Sequence, residues 1–447
     1  MDDTVLPSKL LTTLSHAVGM VNSHDFIQVY SHYDADGISA ASIIARTLVR
    51  AGKEFRVTLF TSLDDANMEI IRNSGAECII ISDLGASYIE QLDALECDVI
   101  VLDHHTVEKQ AKRICYANPH LYGIDGMTSG CGATMAFLFS IAMSKKNWDL
   151  VQIAFAGIAG DKQHINGMKG LNIYLYEEAL ERGHISLMEG SMIPSGQLTS
   201  KLYLSTSPYI AGVSGSAEGV AKLLDSAGVG REKYCKDLTK DERRKLSSLI
   251  TLKLIEQEVP LQTMYELSRA RYHLKDWNMD AETLASLFDG CGRQGLGGVG
   301  VSAGMGDAKS LSEAEGLENV SKTQIIEGVL SLQKNGLNIM NNIQWFDSST
   351  SGFTGMLCGI AMQFISDPSK PTIGINRSED PAKISSRATF DLLEKGVDLS
   401  AAMKEACASV GGAGGGHKIA SGGSCPADRC EEFLLNLDSI IEKQLGH

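Results

Sequence analysis

The sequence is short of basic residues, lacks a Cys-x-x-Cys pair and has no apolar run long enough to cross a bilayer. Lys and Arg total 40 against 55 Asp and Glu, which gives a formal net charge of -15. That balance argues against a protein that coats duplex nucleic acid, although it leaves room for a narrow basic cleft. The ten cysteines are scattered, several of them within apolar runs, which indicates buried free thiols rather than disulfides or a zinc site. Because no signal peptide is recognisable either, we expect a cytoplasmic protein that makes no contact with membranes.

The length of 447 residues is more than one hydrophobic core usually needs, so we expect two domains with room for an inserted segment. An apolar content of 43% and a charged content of 21% are typical of globular proteins. The N-terminal half alternates strand-like and helix-like segments, and such alternation favours a parallel sheet.

The clearest local signal is Asp98–Leu102 followed by Asp103, His104 and His105. Four consecutive apolar residues, three of them β-branched, predict a strand that is buried on both faces. The three ionisable residues follow at its carboxyl end, which is where open parallel sheets bind ligands. The alternative is an aspartate that caps the next helix beside two histidines engaged in packing.

A second ionisable group follows the first strand, Phe26–Tyr30. His32, Asp34 and Asp36 lie in the polar turn between this strand and a predicted helix over residues 38–51. One aspartate could cap the helix, but capping requires neither the second aspartate nor the histidine. Three candidate ligands within five residues suit a divalent cation.

Two further aspartates end apolar segments. Asp83 follows the predicted strand Cys78–Ser82, and Asp161 follows the small, apolar segment 153–160. Asp83 alone would be interpreted as a helix cap, and Asp161 alone indicates little. Because Asp83 is the third acidic group delivered to the same sheet edge, we interpret it as a ligand.

The converging carboxylates could not all stay ionised without cations, so bound metal is the simplest explanation. Mixed carboxylate and imidazole ligands favour Mn²⁺, with Mg²⁺, Co²⁺ or Zn²⁺ as substitutes. There are enough ligands for two ions that share one carboxylate, an arrangement that suits hydrolysis of a phosphate ester or anhydride. The candidate residues are His32, Asp34, Asp36, Asp83, Asp103, His104, His105 and Asp161.

These residues, in this order, resemble the four motifs of the DHH phosphoesterase superfamily over roughly residues 25 to 165. The resemblance implies that Asp83 bridges two ions, that His105 faces the scissile phosphate or the water, and that Asp103 orients or supplements the ligands. It implies one ion held by His32, Asp34 and Asp83. It implies a second ion held by Asp36, Asp83, His104 and Asp161.

The C-terminal part contains an unusual glycine run over residues 411–422, preceded by predicted strands over 342–346, 371–375 and 383–387 and helices over 354–364 and 399–409. Several backbone N–H groups with Arg387 and His417 could hold a phosphate, and a glycine-rich hinge between domains is the alternative. The run resembles the motif of the DHHA1 domain, over about residues 340 to 440. That resemblance implies substrate-phosphate contacts by Arg387, Gly414, Gly415, Gly416 and His417.

The middle region is the least informative. Residues 237–258 predict a charged helix, either a solvated connector or an insertion that binds a partner. The glycine cluster at residues 290–307 suits tight turns or a phosphate cradle. Its Gly-Arg-Gly segment is similar to that of archaeal RecJ-like proteins.

We therefore predict an α/β protein: a doubly wound, mainly parallel sheet over residues 1–190, a connector over 191–335 and a smaller α/β domain over 336–447. The resemblance implies a manganese-dependent exonuclease acting on single-stranded DNA or RNA, with the GINS replication complex as a partner. Two alternatives remain open. One is an enzyme for short oligoribonucleotides, phosphoadenosine phosphate or cyclic dinucleotides, and the other is a non-catalytic subunit of a replication complex.

Overall fold

The computed structural model describes residues 6–348 and 352–446, which group by contacts into two compact units. The first unit comprises the chain up to Glu189 together with Ala270–Ser321, and the second comprises Gly190–Arg269 together with the chain from Lys322 onward. The contacts thus divide the middle region between the units. The predicted division into segments 1–190, 191–335 and 336–447, as separately folding domains, stays a prediction.

The described residues form strands and helices that alternate through the N-terminal part of the chain. The strands are β1 (Phe26–His32), β2 (Glu54–Phe60), β3 (Cys78–Ser82), β4 (Asp98–Leu102), β5 (Cys115–Ala117), β6 (Ile185–Met188), β7 (Arg271–Leu274), β8 (Met279–Asp280), β9 (Asn338–Ile339), β10 (Gln344–Asp347), β11 (Thr372–Asn376), β12 (Ala382–Arg387), β13 (Ala413–His417) and β14 (Ala420–Cys425). The helices up to residue 268 are α1 (Ser8–Asn22), α2 (Ala35–Arg50), α3 (Asp65–Arg72), α4 (Ile89–Asp93), α5 (Gly126–Ser129), α6 (Gly132–Met143), α7 (Val151–Gly160), α8 (Leu171–Glu181), α9 (Leu198–Tyr203), α10 (Ala217–Ala227), α11 (Lys240–Glu256) and α12 (Leu261–Ser268). The later helices are α13 (Ala281–Arg293), α14 (Gly297–Gly304), α15 (Ala308–Asn335), α16 (Thr354–Phe364), α17 (Phe390–Glu394), α18 (Leu399–Ser409) and α19 (Cys430–Leu445). None of the helices in the described ranges has both the length and the apolar character of a bilayer span.

The first unit is built on a five-stranded sheet in the order β2-β1-β3-β4-β5, with every pair parallel. Side chains of β3 and β4 alternate between two cores. Ile80 and Ile100 face the core formed with α1, α2, α6 and α7, whereas Ile79 and Val99 face the core formed with α3 and α4. Helices therefore cover both faces, as a parallel sheet requires, and the predicted doubly wound fold is confirmed.

The second unit contains a mixed sheet in the order β13-β14-β12-β11-β10-β9, in which only β10 and β11 are parallel among the described pairs. Helices α18 and α19 cover one core of this sheet, and α16 packs in another core with α9 and α11. The glycine run forms the hairpin β13–β14 and is not a hinge between domains. The second, smaller α/β domain predicted from the sequence is thus present.

Most of the glycine cluster at 290–307 lies in α13 and α14 and forms no phosphate cradle. The predicted tight turns are confirmed at Gly295 and Gly306, whose φ values are 71° and 100°. The glycines within the helices allow close helix contacts. A Cβ atom on Gly304 would collide with the side chain of Ser42, and one on Gly292 would collide with the carbonyl oxygen of Tyr33. The charged segment at 237–258 does form a helix, α11, which begins with a capping box between Thr239 and Glu242.

The buried face of β3 provides a test of the fold. Ile80 is fully buried, whereas Ile70 on α3 is 51% exposed. We expect Ile80→Ala to lower the free energy of unfolding by about 2–5 kcal/mol, because it leaves a cavity between sheet and helices. We expect Ile70→Ala to change it by no more than about 0.5 kcal/mol. Chemical denaturation of both variants measures the difference, and equal losses would contradict this sheet arrangement.

Candidate metal centre

Three neighbouring strands of the parallel sheet deliver ionisable residues to its carboxyl end. β1 ends at His32, β3 ends one residue before Asp83, and β4 ends one residue before Asp103. Asp83 has a positive φ of 55°, a strained conformation for a non-glycine residue that costs about 1–3 kcal/mol and often marks a functional site. Its backbone N–H donates to the carbonyl oxygen of Leu102 at 2.9 Å, which ties β3 to β4 at this edge.

The structure places seven of the eight predicted residues in groups that could hold a metal ion. Within each group, one ligand atom per residue lies within 4.8 Å of the others. The groups are His32, Asp34 and Asp83; Asp36, His104 and Asp161; and Asp83, His104 and His105. Asp83 and His104 each belong to two groups, and of these two side chains only the carboxylate of Asp83 has two oxygens with which to bind two ions.

Asp34 and Asp36 both cap helices and still reach the cluster. One oxygen of Asp34 accepts from the N–H of Gly37 at 3.0 Å, and its other oxygen lies 3.0 Å from Nδ1 of His32. Asp36 is buried and accepts from the N–H groups of Gly132 and Ala133, at the beginning of α6. The predicted cap of the following helix is therefore Asp34 alone, whereas Asp36 caps α6, and both capping contacts are compatible with the ligand interpretation.

Asp103 is buried and its two oxygens are already engaged. One accepts from the N–H of Ala86 at 2.8 Å, and the other accepts from the N–H of His104 at 2.7 Å and lies 2.8 Å from Nδ1 of His105. Asp103 belongs to none of the three ligand groups found in the described residues. Its contacts therefore favour the orienting role over the role of an additional ligand.

Glycines allow helices to approach this cluster closely. A Cβ atom on Gly157 of α7 would collide with Oδ1 of Asp36, and one on Gly132 of α6 would lie 2.5 Å from Cβ of Asp83. Side chains at these positions would displace the carboxylates. Sequence reasoning did not identify either glycine as part of the site, and the only signal was the small size of the residues in α7.

The ionisation of the cluster shows an excess of buried negative charge. Burial raises the pKa of Asp36 well above its usual value, and the charges of Asp83 and Asp161 raise it further. Burial and the charge of Asp83 also raise the pKa of Asp161, to about 6, against the opposing effect of His104. These carboxylates therefore need a positive charge nearby if all of them are to be ionised.

The two imidazoles respond to the same charges. Burial lowers the pKa of His32, but the carboxylates of Asp34 and Asp83 outweigh it and raise the pKa well above the usual value. Burial likewise lowers the pKa of His104, and the charges of Asp161 and Asp83 reverse the shift. Burial would raise the pKa of Asp83, but the two imidazoles beside it bring it below the usual value.

A divalent ion fits these residues. Oδ1 of Asp83 is buried and accepts no hydrogen bond from the described residues, and it lies 3.2 Å from Nε2 of His104. A buried carboxylate oxygen without a donor is costly, and a cation would satisfy it. Two imidazoles with several carboxylates form a donor set that suits Mn²⁺.

Arg387 and His417, two of the five predicted phosphate contacts in the second unit, come together. Arg387 and His417 both pair in register with Ala420, on the two sides of β14, so the three side chains lie on one face of the sheet. His417 is exposed and Arg387 is partly exposed. The described neighbours leave open space beside Gly415, whereas a Cβ on Gly414 would lie 2.6 Å from the carbonyl oxygen of Met403.

Arg293 lies near the cluster, but the sequence analysis treated it only as part of the glycine cluster at 290–307 and did not predict it as a site residue. It ends α13, and its Nε donates to Asp289 at 2.6 Å. Burial lowers its pKa, but Asp289 outweighs this and the charge of Asp34 raises the pKa further. A cation therefore lies within electrostatic reach of the first acidic loop. The Gly-Arg-Gly pattern was the available signal.

Comparison with known proteins identifies the family. The model of the DHH family N-terminal domain matches residues 26–158, and the model of the DHHA1 domain matches residues 349–443. An uncharacterised protein of Methanocaldococcus jannaschii is 31% identical over 439 residues, which cover 95% of this chain and 95% of that protein. The chain belongs to the DHH family and carries a DHHA1 domain.

Within that family, the solved structures point to the RecJ fold. RecJ of Thermus thermophilus, solved with Mn²⁺, matches 98% of this chain with a TM-score of 0.59 at 15% identity, and this chain spans 55% of its length. CDC45 of Entamoeba histolytica matches 97% of this chain and 99% of its own, with a TM-score of 0.64 at 10% identity. At these identities the likeness establishes the fold.

A shorter match is to a protein of Bacillus subtilis strain 168, YorK, which is provisionally named an SPbeta prophage-derived single-strand DNA-specific exonuclease. The two proteins are 29% identical over 136 residues, which cover 27% of this chain and 22% of YorK.

Asp83 gives a direct test of the metal centre, because it belongs to two of the candidate ligand groups. We expect Asp83→Asn to weaken Mn²⁺ binding by at least about 100-fold, since loss of residues that only orient ligands already costs up to this much. Asp98→Asn is the matched control, because Asp98 begins β4 at the other end of the same sheet. Titration followed by electron paramagnetic resonance of free Mn²⁺ measures both. Unchanged binding in Asp83→Asn would contradict the site.

Proposed function

We propose that this chain is a manganese-dependent nuclease that removes nucleotides from one end of single-stranded DNA, RNA or both. The observation that carries the proposal is the grouping of Asp83, which has an unsatisfied buried oxygen, with five other candidate ligands in overlapping groups. As the family motifs imply, one ion would be held by His32, Asp34 and Asp83. The other ion would be held by Asp36, Asp83, His104 and Asp161.

Two such ions, when bound, supply an acidified water and neutralise charge on the phosphate. His105 is the residue best placed to act on the substrate, because its side chain is 43% exposed and its Nδ1 is held by Asp103. Burial lowers the pKa of His105, but the charge of Asp103 outweighs it and raises the pKa. His105 can therefore carry a proton on Nε2 and donate it to a phosphate oxygen or to the leaving oxygen.

The second unit would bind a phosphate of the strand. Arg387 offers a guanidinium fork, and His417 and the open backbone at Gly415 lie on the same sheet. Lys383 and Lys418 are exposed nearby and supply local positive charge in a chain of acidic total charge. Such contacts are to the sugar-phosphate backbone of the strand and do not depend on the base, which suits stepwise digestion.

The names of the relatives support this substrate. RecJ and YorK are both named exonucleases, and YorK is named single-strand DNA-specific. We extend these activities to the present chain as part of the proposal, with digestion in the cytoplasm during DNA repair, DNA replication or RNA turnover.

A non-catalytic role in a replication complex is the second candidate, and the likeness to CDC45 is the observation that favours it. An association with the GINS complex fits either role and belongs to the proposal. The complete ligand set favours catalysis. Hydrolysis of short oligoribonucleotides, phosphoadenosine phosphate or cyclic dinucleotides is the remaining alternative.

End-labelled substrates test the activity. We expect the protein with Mn²⁺ to release labelled mononucleotide at once from an oligonucleotide labelled at one end, and to produce a ladder from the same strand labelled at the other end. Asp161→Asn should slow hydrolysis by at least about 100-fold, because it removes a ligand, whereas Asp98→Asn should not. DNA and RNA versions define the preference.

Two results would contradict this proposal. Turnover restricted to dinucleotides or cyclic dinucleotides would favour the small-substrate alternative. Tight Mn²⁺ binding without hydrolysis of any strand would favour the non-catalytic one.

Arg387→Ala tests the second unit. We expect it to weaken binding of a single strand by about 10- to 100-fold, the effect of losing hydrogen bonds to a charged group, without altering Mn²⁺ binding. Arg377→Ala is the control, since Arg377 is an arginine of the same unit that is paired with Asp347 and Glu431. Fluorescence anisotropy with a labelled strand and Ca²⁺ in place of Mn²⁺ measures the affinity. Equal losses in the two variants would argue against a specific phosphate contact.

A further inference from the structure

A buried hydrogen-bond network lies directly behind His104. The carbonyl oxygen of Gly126 lies 2.8 Å from Nδ1 of His104 and accepts from Nε2 of Gln163 at 2.9 Å. Because a carbonyl oxygen can only accept, the imidazole must carry a proton on Nδ1. Nε2 of His104 then faces the cluster, 3.2 Å from Oδ1 of Asp83 and 3.3 Å from Oδ2 of Asp161.

The amide of Gln163 has only one orientation that satisfies its neighbours. Its oxygen accepts from the backbone N–H of Gly130 at 3.0 Å and from Nδ2 of Asn172 at 2.9 Å. Asn172 in turn accepts from the hydroxyl of Thr134 at 2.7 Å. A flipped amide would set N–H groups against N–H groups and leave the Gly126 carbonyl without this donor.

Gln163 reaches a second ligand with the same nitrogen. Its Nε2 lies 3.4 Å from Oδ2 of Asp161, two residues earlier in the chain. Lys162 between them has a positive φ of 57°, so the backbone changes direction immediately after Asp161. Gln163, Asn172 and Thr134 are all buried, so water does not compete for these hydrogen bonds.

We propose that Gln163 is a positioning residue of the metal centre, which holds His104 and Asp161 in the orientation needed to bind one ion. The inference rests on the proposed function, because it concerns the same centre. Gln163 bonds to neither His32 nor Asp34 in the described contacts, so its effect falls on the ion held by His104 and Asp161. Second-layer hydrogen bonds of this kind fix the tautomer and direction of a ligating imidazole.

A pair of buried glutamines provides a matched experiment. Gln152 is as buried as Gln163 and lies in the same unit, but it bonds to Asp276, away from the cluster. We expect Gln163→Leu to weaken the binding of one of the two Mn²⁺ ions by about 10- to 100-fold and to leave the binding of the other unchanged. Gln152→Leu should bind both ions like the wild type, even if both variants unfold at lower temperature. Electron paramagnetic resonance of Mn²⁺ titrated into the full-length protein gives the two affinities.

A second variant and a spectroscopic measurement do not depend on the folding of Gln163→Leu. Asn172→Ala removes the anchor of Gln163 without touching a ligand, and we expect a smaller loss at the same ion. In wild-type protein labelled with ¹⁵N-histidine and loaded with diamagnetic Mg²⁺, His104 should carry its proton on Nδ1.

The outcomes separate the two claims. Wild-type protein that binds no Mn²⁺ would overturn the proposed function and this inference with it. Wild-type protein that binds two ions, with wild-type affinities in Gln163→Leu and Asn172→Ala, would overturn the inference alone. A proton on Nε2 of His104 would do the same.

Discussion

The arrangement at the end of the parallel sheet depends on the burial of Asp83. This carboxylate lies between two imidazoles, has an oxygen that no described donor satisfies, and is held in a strained backbone conformation. Burying several acids together is unfavourable unless cations or donors compensate them. The histidines supply part of the compensation, and a cation bound by the same donor set would supply the remainder. The first unit can therefore be understood as a scaffold that makes an unfavourable group of acids stable.

The scaffold achieves this with ordinary elements. A sheet covered on both faces fixes the strand ends, and the beginning of α6 provides two N–H donors for Asp36. Glycines in α6 and α7 let those helices approach the carboxylates within contact distance. Backbone groups thus provide much of the support for the acidic side chains, and the hydrogen-bonded side chains behind His104 provide the rest.

Much of this could be predicted from the sequence, because strands buried on both faces appear as short continuous apolar runs and buried helices have apolar residues at helical spacing. The strands β3 and β4 and the helices α16 and α18 begin and end where the pattern predicts. The candidate ligands were found because each follows an apolar segment. Their grouping depends on strand order, which local patterns do not contain, and was inferred from the number of acids.

The rest could not be predicted for a physical reason. The glycines at 290–307 indicate tight backbone, but a glycine needed for helix contact has the same sequence signal as one needed for a turn. Gln163 carries no charge and follows no strand, and its importance arises only from neighbours such as Gly126 and Asn172 that are distant in sequence. Either Asp34 or Asp36 could have capped the following helix, and only the structure shows that Asp34 does so while Asp36 contacts α6.

The division of the chain between the two units has a consequence for synthesis. The first unit is interrupted after Glu189 and resumes at Ala270, with α13 and α14 packed on α2. A ribosome must therefore make most of the chain before the acidic centre has all of its neighbours. A fragment that ends near residue 189 contains every candidate metal ligand but exposes the apolar side of α2, and such a surface favours aggregation over separate folding.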